Sequence, residues 1–473
     1  MNCKKLLSIG SLLLLLAGAQ AQKYEIKFIL PDDSYADSLF YIGQHYRDNL
    51  TPIDSARVVG NCVTFKGKKN WETGIYALYP KGQKKQMMDF TIDGSSRFTI
   101  RMDRPGHVAD PRRDISGSPA NSAMIAFQNH FNEARQRSRD IDKRLKTPDT
   151  KAAAEQERKA LNKEMEQFEE ESIKKNGKYR FFQLVEMFSG PKVPDEAPDK
   201  ASYYLQHYWD GVALTDQSLV RTPDLFNKMN YYFFGLLYHA DTDTIKKYAD
   251  AVLHQIEDDT LMLRYFMDYI MPRYYRSTKN IGWDAVWCYL VRQYYLAGKC
   301  TWARESELYT KRKDVERLEQ SLIGAVGQEL WMADTNQSPN PDEWISSHQF
   351  PTRYVILWFW DPDCHHCQEQ TATLKTLYDS LAATGNKPFE VYAVGYEADV
   401  DKWKRYVREH QLPFVNVGGN NVNIDYQVAY NVHGAPTMII LDEQRRIIMN
   451  KVLPSNAILP FLRDHEKRKQ SKY

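Results

Sequence analysis

Two cysteines three residues apart hold the most specific chemistry in the chain. Cys364 and Cys367 enclose His365 and His366, with Asp361-Pro362-Asp363 in front and Gln368-Glu369-Gln370 behind. Such a pair can exchange two electrons with a substrate disulfide or dithiol. The thiolate attacks, so one cysteine must ionise near neutral pH while the other closes the ring. Cys364 stands where an apolar run, Tyr354 to Trp360, gives way to a helical pattern through Leu374, Leu377 and Leu381. A helix N-terminus offers unpaired N–H groups and the positive end of the dipole, both of which favour a negative sulfur. That assigns Cys364 as nucleophile and Cys367 as resolving thiol. An imidazolium on His365 or His366 would stabilise the thiolate further, whereas Asp361 and Asp363 oppose it. A stabilised thiolate makes the disulfide a stronger oxidant, so the histidines lean toward oxidase or isomerase chemistry.

The first 21 residues set the compartment in which such a pair would work. Lys4 and Lys5 precede an apolar run from Leu6 to Ala17, and Ala19-Gln20-Ala21 follows. This is the pattern of a secretory signal peptide, too short to span a bilayer, with cleavage after Ala21. The predicted location is exported, in the periplasm. Cleavage removes Cys3 and leaves five cysteines, an odd number, so at least one of Cys62, Cys288, Cys300, Cys364 and Cys367 is outside any intramolecular disulfide. Cys288 lies in an apolar helical pattern and reads as an inert buried thiol; a Cys288–Cys300 disulfide is allowed but not required.

The chain has 473 residues, enough for about three domains. It carries 63 Lys plus Arg against 61 Asp plus Glu, and loss of Lys4 and Lys5 balances the charges. A neutral chain is a poor candidate for nucleic acid. Residues 22–117 alternate apolar and polar residues in short runs broken by Gly60, Gly67, Gly74 and Gly94, which predicts a β-sandwich-like domain. Residues 118–330 change to helical periodicity. Leu161, Met165 and Phe168 form a narrow apolar stripe, read as packing within its own domain rather than as a coiled-coil seam. Tyr231, Tyr232, Phe233, Phe234, Tyr265, Phe266, Tyr269, Tyr274, Tyr275, Trp287 and Tyr289 read as helix packing. After a polar linker at 335–341, strands alternate with helices from 354 onward, ending in a hairpin with its last strand at Ile447 to Val452; this predicts a mixed sheet covered on both faces.

From about Gly327 to His465 the chain resembles the thioredoxin superfamily, and more closely its exported thiol:disulfide oxidoreductases of the TlpA and ResA type. The residues that carry the resemblance are the strand, Trp360-Asp361-Pro362-Asp363-Cys364-His365-His366-Cys367, the helix, and then Gly434-Ala435-Pro436-Thr437 before another strand. The expected fold is therefore multidomain: a β-sandwich-like domain, an α-helical middle region, and an α/β thioredoxin-like fold over 331–473. The resemblance implies a cis Pro436 facing the cysteines, with Ala435 presenting its backbone to an extended substrate. It also implies protein thiols or disulfides as substrates and an unidentified redox partner, with no bound cofactor and no metal expected, and it leans toward reductase chemistry, against the lean of the histidines, so the direction stays open. Two positions depart from the pattern. Trp358 stands where thioredoxins bury an Asp, and Gln370 where many TlpA-like proteins carry a Glu. Glu369 beside it would accept the Cys367 proton only if the helix turned it inward. Two alternatives remain at this stage: a copper or soft-metal carrier using the cysteines with His365, His366 or His433, and a binding protein on an inactive thioredoxin scaffold.

Overall fold

The computed structural model describes residues 23–83, 85–275, 280–334, 344–396 and 399–470. The signal peptide expected at 1–21 and the linker expected at 335–341 lie outside these residues. The chain divides into two compact units, one reaching to Tyr238 and the other beginning at His239.

The first unit opens with β1 (Tyr24–Ile29), β2 (Leu39–Tyr46), β3 (Asn49–Val59), β4 (Cys62–Gly67), β5 (Gly74–Pro80), β6 (Met88–Ile92), β7 (Arg97–Arg101) and β8 (Ile115–Ser116). They form one eight-stranded sheet in the order β6-β5-β2-β3-β4-β1-β7-β8. Burial alternates along β1, as its period-two pattern requires. Only β1 and β7 run parallel among the sheet's paired strands. The sheet curls onto itself. Phe28 of β1 meets Phe90 of β6 edge to face at 5.2 Å although β4, β3, β2 and β5 lie between them in the sheet, and Phe90 reaches Phe98 of β7 at 6.0 Å. One curled sheet thus supplies both layers of the sandwich-like core.

Two long helices follow, α1 (Pro119–Leu145) and α2 (Pro148–Asn176). Proline at the first helical position starts each at no cost, because that N–H has no helical partner. They form an antiparallel hairpin around Ala134, Ile141, Ala154 and Leu161, flanked by Leu145 and Met165. Arg137 grips Glu164 at 2.7 Å and 3.0 Å, and Arg158 reaches Asp142 at 2.6 Å across the same seam. The Leu161 stripe is therefore covered by α1 of the same chain. Shorter helices α3 (Arg180–Phe188) and α4 (Pro223–Tyr231) complete the unit.

The second unit begins with α5 (Thr242–Leu253), α6 (Thr260–Tyr274), α7 (Trp283–Leu290) and α8 (Glu305–Leu318). Tyr265, Phe266, Tyr269, Tyr274 and Trp287 are buried here, as the aromatic pattern predicts; in the first unit Tyr232 and Phe233 are buried but Tyr231 is 53% exposed. Cys288 and Cys300 are buried free thiols, and burial pushes both up to about 12.

The second sheet contains β9 (Trp331–Asp334), β10 (Trp344–Ser346), β11 (Tyr354–Trp360), β12 (Phe389–Gly395), β13 (Val415–Val422), β14 (Thr437–Leu441) and β15 (Ile447–Met449), in the order β10-β9-β13-β12-β11-β14-β15. Strand β11 is central and buried along its whole length, parallel to β12 and antiparallel to β14. Separate apolar cores cover the two faces, one of them roofed by α9 (His365–Ala383), α10 (Val400–Glu409) and α11 (Ser455–Gln470).

Two features of this sheet depart from the sequence reading. The β9–β10 hairpin extends one edge, and at the other edge β15 ends at Met449 rather than continuing to Val452. Outside β15 the chain at 324–327 adds its own ladder: Gly324 donates to the Ile447 carbonyl at 2.8 Å, Ile447 to that of Ala325 at 2.8 Å, and Gly327 to that of Arg445 at 2.7 Å. Among the described residues no helix is long and apolar enough to cross a membrane.

Candidate redox site

The turn between β11 and α9 is built by Asp361. Its carboxylate accepts the Asp363 N–H at 2.8 Å and its carbonyl accepts the Cys364 N–H at 3.2 Å, which leaves Cys364 as the N-cap of α9. The Cys364 Sγ accepts the Cys367 N–H at 3.3 Å. A cysteine here does what a serine or aspartate cap does elsewhere, and its sulfur lies at the positive end of a helix of 19 residues. Cys364 is half-buried and Cys367 fully buried; both are free thiols.

The Ala435–Pro436 peptide bond is cis. The Ala435 carbonyl lies 3.9 Å from the Cys364 Sγ, so the loop before β14 and the start of α9 face each other. Burial, reinforced by the hydrogen bond to Cys364, pushes the Cys367 thiol up to about 12. At neutral pH the proton therefore stays on Cys367.

The structure separates the other candidates from the sulfurs. His365 pairs with Glu369 at 3.3 Å and His366 faces the same carboxylate at 3.9 Å, with side chains 85%, 62% and 59% exposed for His365, His366 and Glu369. The helix turns Glu369 outward, so the condition for its accepting the Cys367 proton is not met. Both imidazoles stand in water, where their field at the sulfur is screened. Beneath the pair, Trp358 is buried and donates its indole N–H to the Thr371 hydroxyl at 2.9 Å. This neutral hydrogen bond occupies the place of a buried carboxylate. His433 hydrogen-bonds Asn431 at 2.7 Å, and among the described residues no three His, Cys, Asp or Glu side chains converge as metal ligands.

Two partners escaped the sequence reading. Lys402 of α10 forms an ion pair with Asp363 and offsets one of the two carboxylates that oppose the thiolate. A cavity of about 310 Å³ lies behind Pro436, lined by Thr437, Met438, Asn450, Lys451 and, from the helical segment, Asp284 and Ser321. The one signal for Asp284 was a carboxylate in the otherwise apolar Trp283 to Leu290 run.

Residues 352–447 match the model of a thioredoxin-like family, and residues 149–321 that of a domain of unknown function, DUF5106. No curated protein matches the chain. Among solved structures, a thioredoxin-like protein from Bacteroides caccae is 18% identical, covering 59% of this chain and 98% of its own, with a TM-score of 0.47. A domain of a possible thiol-disulfide isomerase from Cytophaga hutchinsonii is 26% identical, covering 32% and 97%, with a TM-score of 0.27. StoA from Bacillus subtilis is 17% identical, covering 28% and 96%, with a TM-score of 0.23. With the family match spanning β11 to the first residue of β15, the C-terminal part of this multidomain chain is a thioredoxin-like domain of the thioredoxin superfamily.

Proposed function

We propose that the chain is an exported thiol:disulfide oxidoreductase that acts on protein thiols through Cys364 and Cys367. The observation that carries this reading is the placement of the Cys364 sulfur at the α9 N-terminus, accepting the Cys367 N–H and facing the carbonyl before a cis proline. The Cys364 thiolate attacks one sulfur of a substrate disulfide, that S–S bond breaks, and the departing substrate thiolate takes a proton. Cys367, after losing its proton, attacks the Cys364 sulfur of the mixed disulfide and expels the second substrate thiolate. Two electrons pass to the substrate; the reverse sequence oxidises a substrate dithiol. Export rests on the Lys4 to Ala21 pattern.

Replacing Cys367→Ser is expected to trap exported proteins as mixed disulfides on Cys364, and Cys364→Ser to trap none. Absence of any trapped protein counts against the mechanism. The reduction potential of the pair then assigns direction: a value near that of thioredoxin means a reductase, a much more oxidising value a disulfide donor or isomerase.

A further inference from the structure

A second cavity, of about 670 Å³, lies within the first unit, between the N-terminal half of α1 and the C-terminal half of α2. Its volume is that of a small-molecule site. Its charged walls have one sign. Arg112, from the turn of helix Pro111–Asp114, and Lys175, near the end of α2, both line it, and among the described residues no Asp or Glu does.

These cations are open and unused. Arg112 and Lys175 are exposed, and neither side chain has an ion pair or a hydrogen bond among the described residues. Neighbouring cations are engaged: Arg113 pairs with Asp114 at 2.8 Å, and Arg137 with Glu164 at 2.7 Å. Glu171, one helical turn before Lys175, forms no pair with it among the described residues. The hydroxyls of Ser172 and Tyr179, which also line the cavity, have no partner either and are not sealed from water. Two cations and two hydroxyls able to donate thus border one concave space that holds no opposing carboxylate. A cation would be repelled there, and a neutral molecule would leave both charges unpaired. An anion pairs them.

The rest of the wall is apolar. Phe168 is half-buried and Ala126 exposed, so both can be touched from the cavity, while the buried Phe127 and Phe182 close its back. Phe168 is held firmly, with its ring stacked on that of Phe127 at 5.5 Å and the His130 ring 3.8 Å from its other contacts' centre. A fixed ring beside an open space favours a flat, apolar body. We propose that this cavity binds a small organic anion whose charge pairs with Arg112 and Lys175 and whose aromatic body packs on Phe168. Such a site gives the first unit a ligand-binding role that does not depend on the cysteine pair.

Fluorescence titration of the full mature chain with 1-anilinonaphthalene-8-sulfonate tests this, beside N-phenyl-1-naphthylamine, which has the same rings and no charge. Both dyes brighten on leaving water. Replacing Arg112→Gln and Lys175→Gln together is expected to weaken binding of the sulfonate by about tenfold, as for two partly exposed charge contacts, and to leave the amine unchanged. Ala126→Trp, at an exposed helical position, fills the cavity and should weaken both dyes by about tenfold or more. With the unaltered chain, raising salt from about 10 mM to about 150 mM should weaken the sulfonate and not the amine, a reading that needs no variant to fold. Sulfonate binding that none of these changes alters overturns the site, as does the absence of any binding. A loss on the charge substitutions that Ala126→Trp does not share means attraction to the surface outside the cavity and also overturns it. Equal weakening of both dyes by the charge substitutions overturns the assignment of an anion.

Discussion

In a mixed disulfide the Cys364 sulfur carries no charge, yet Cys367 remains buried in the cluster that holds Trp358 and Leu374. Burial was the larger cause of its high pKa, so the resolving thiol stays protonated over the physiological range. Its thiolate fraction then rises tenfold for each unit of pH as long as the pH stays below its burial-raised pKa. Decay of the wild-type mixed disulfide should therefore quicken by about tenfold per pH unit from pH 6 to 9. Acid quenching at timed intervals, followed by separation of the adduct, measures this. A rate that levels off below pH 8 would show a dedicated proton acceptor near Cys367, which the outward turn of Glu369 argues against.

At the level of elements, the edge strand β6 shows how a helix can finish a sheet. Among the described residues β6 pairs with no strand but β5, and its other side is met by Asn121 at the start of α1. The Thr91 N–H donates to the Asn121 side-chain oxygen at 2.8 Å, and the Asn121 amide donates to the Thr91 carbonyl at 2.7 Å, with Asn121 fully buried. One side chain thus imitates a neighbouring strand and blunts the edge. Asn121→Leu would leave both backbone groups buried and unpaired and should cost about 2–4 kcal/mol in urea unfolding. The sequence revealed the α1–α2 stripe, the buried β11 run and the start of α9, because each is a local pattern of period 3.6 or 2 or a local junction. It did not reveal the Asn121 clamp, the Trp358–Thr371 bond or the early end of β15. Each of those depends on partners 13 to 167 residues away in the chain. The local pattern carries the strand on through Asn450 and Lys451 because nothing nearby in the sequence forbids it; Ser321 and Asp284, far away in the chain, draw both residues off the sheet.

For the molecule as a whole, the boundary between helices and redox domain is not a free hinge within the second unit. The ladder at 324–327 covers the outer side of β15, and the Tyr430 hydroxyl donates to the Gln328 carbonyl at 2.5 Å. A fragment starting at residue 331 loses these hydrogen bonds and should be less stable than one starting at 239 by about 3 kcal/mol or more, at about 1 kcal/mol each. Chemical denaturation of the two fragments checks this; equal midpoints and slopes would mean the ladder contributes nothing. The same ladder has a consequence for how chains of this build could diversify. Between Ser321, held by Asn450, and Gly327, held by Arg445, the connector has a fixed length. Adding one residue there would slip it by one position along β15 and reverse which of its side chains face the sheet. The cysteine pair would be untouched while the wall behind Pro436 moved. Connector length would then set how the helical segment meets the edge of this sheet, adjustable by insertion or deletion at a distance from the cysteine pair.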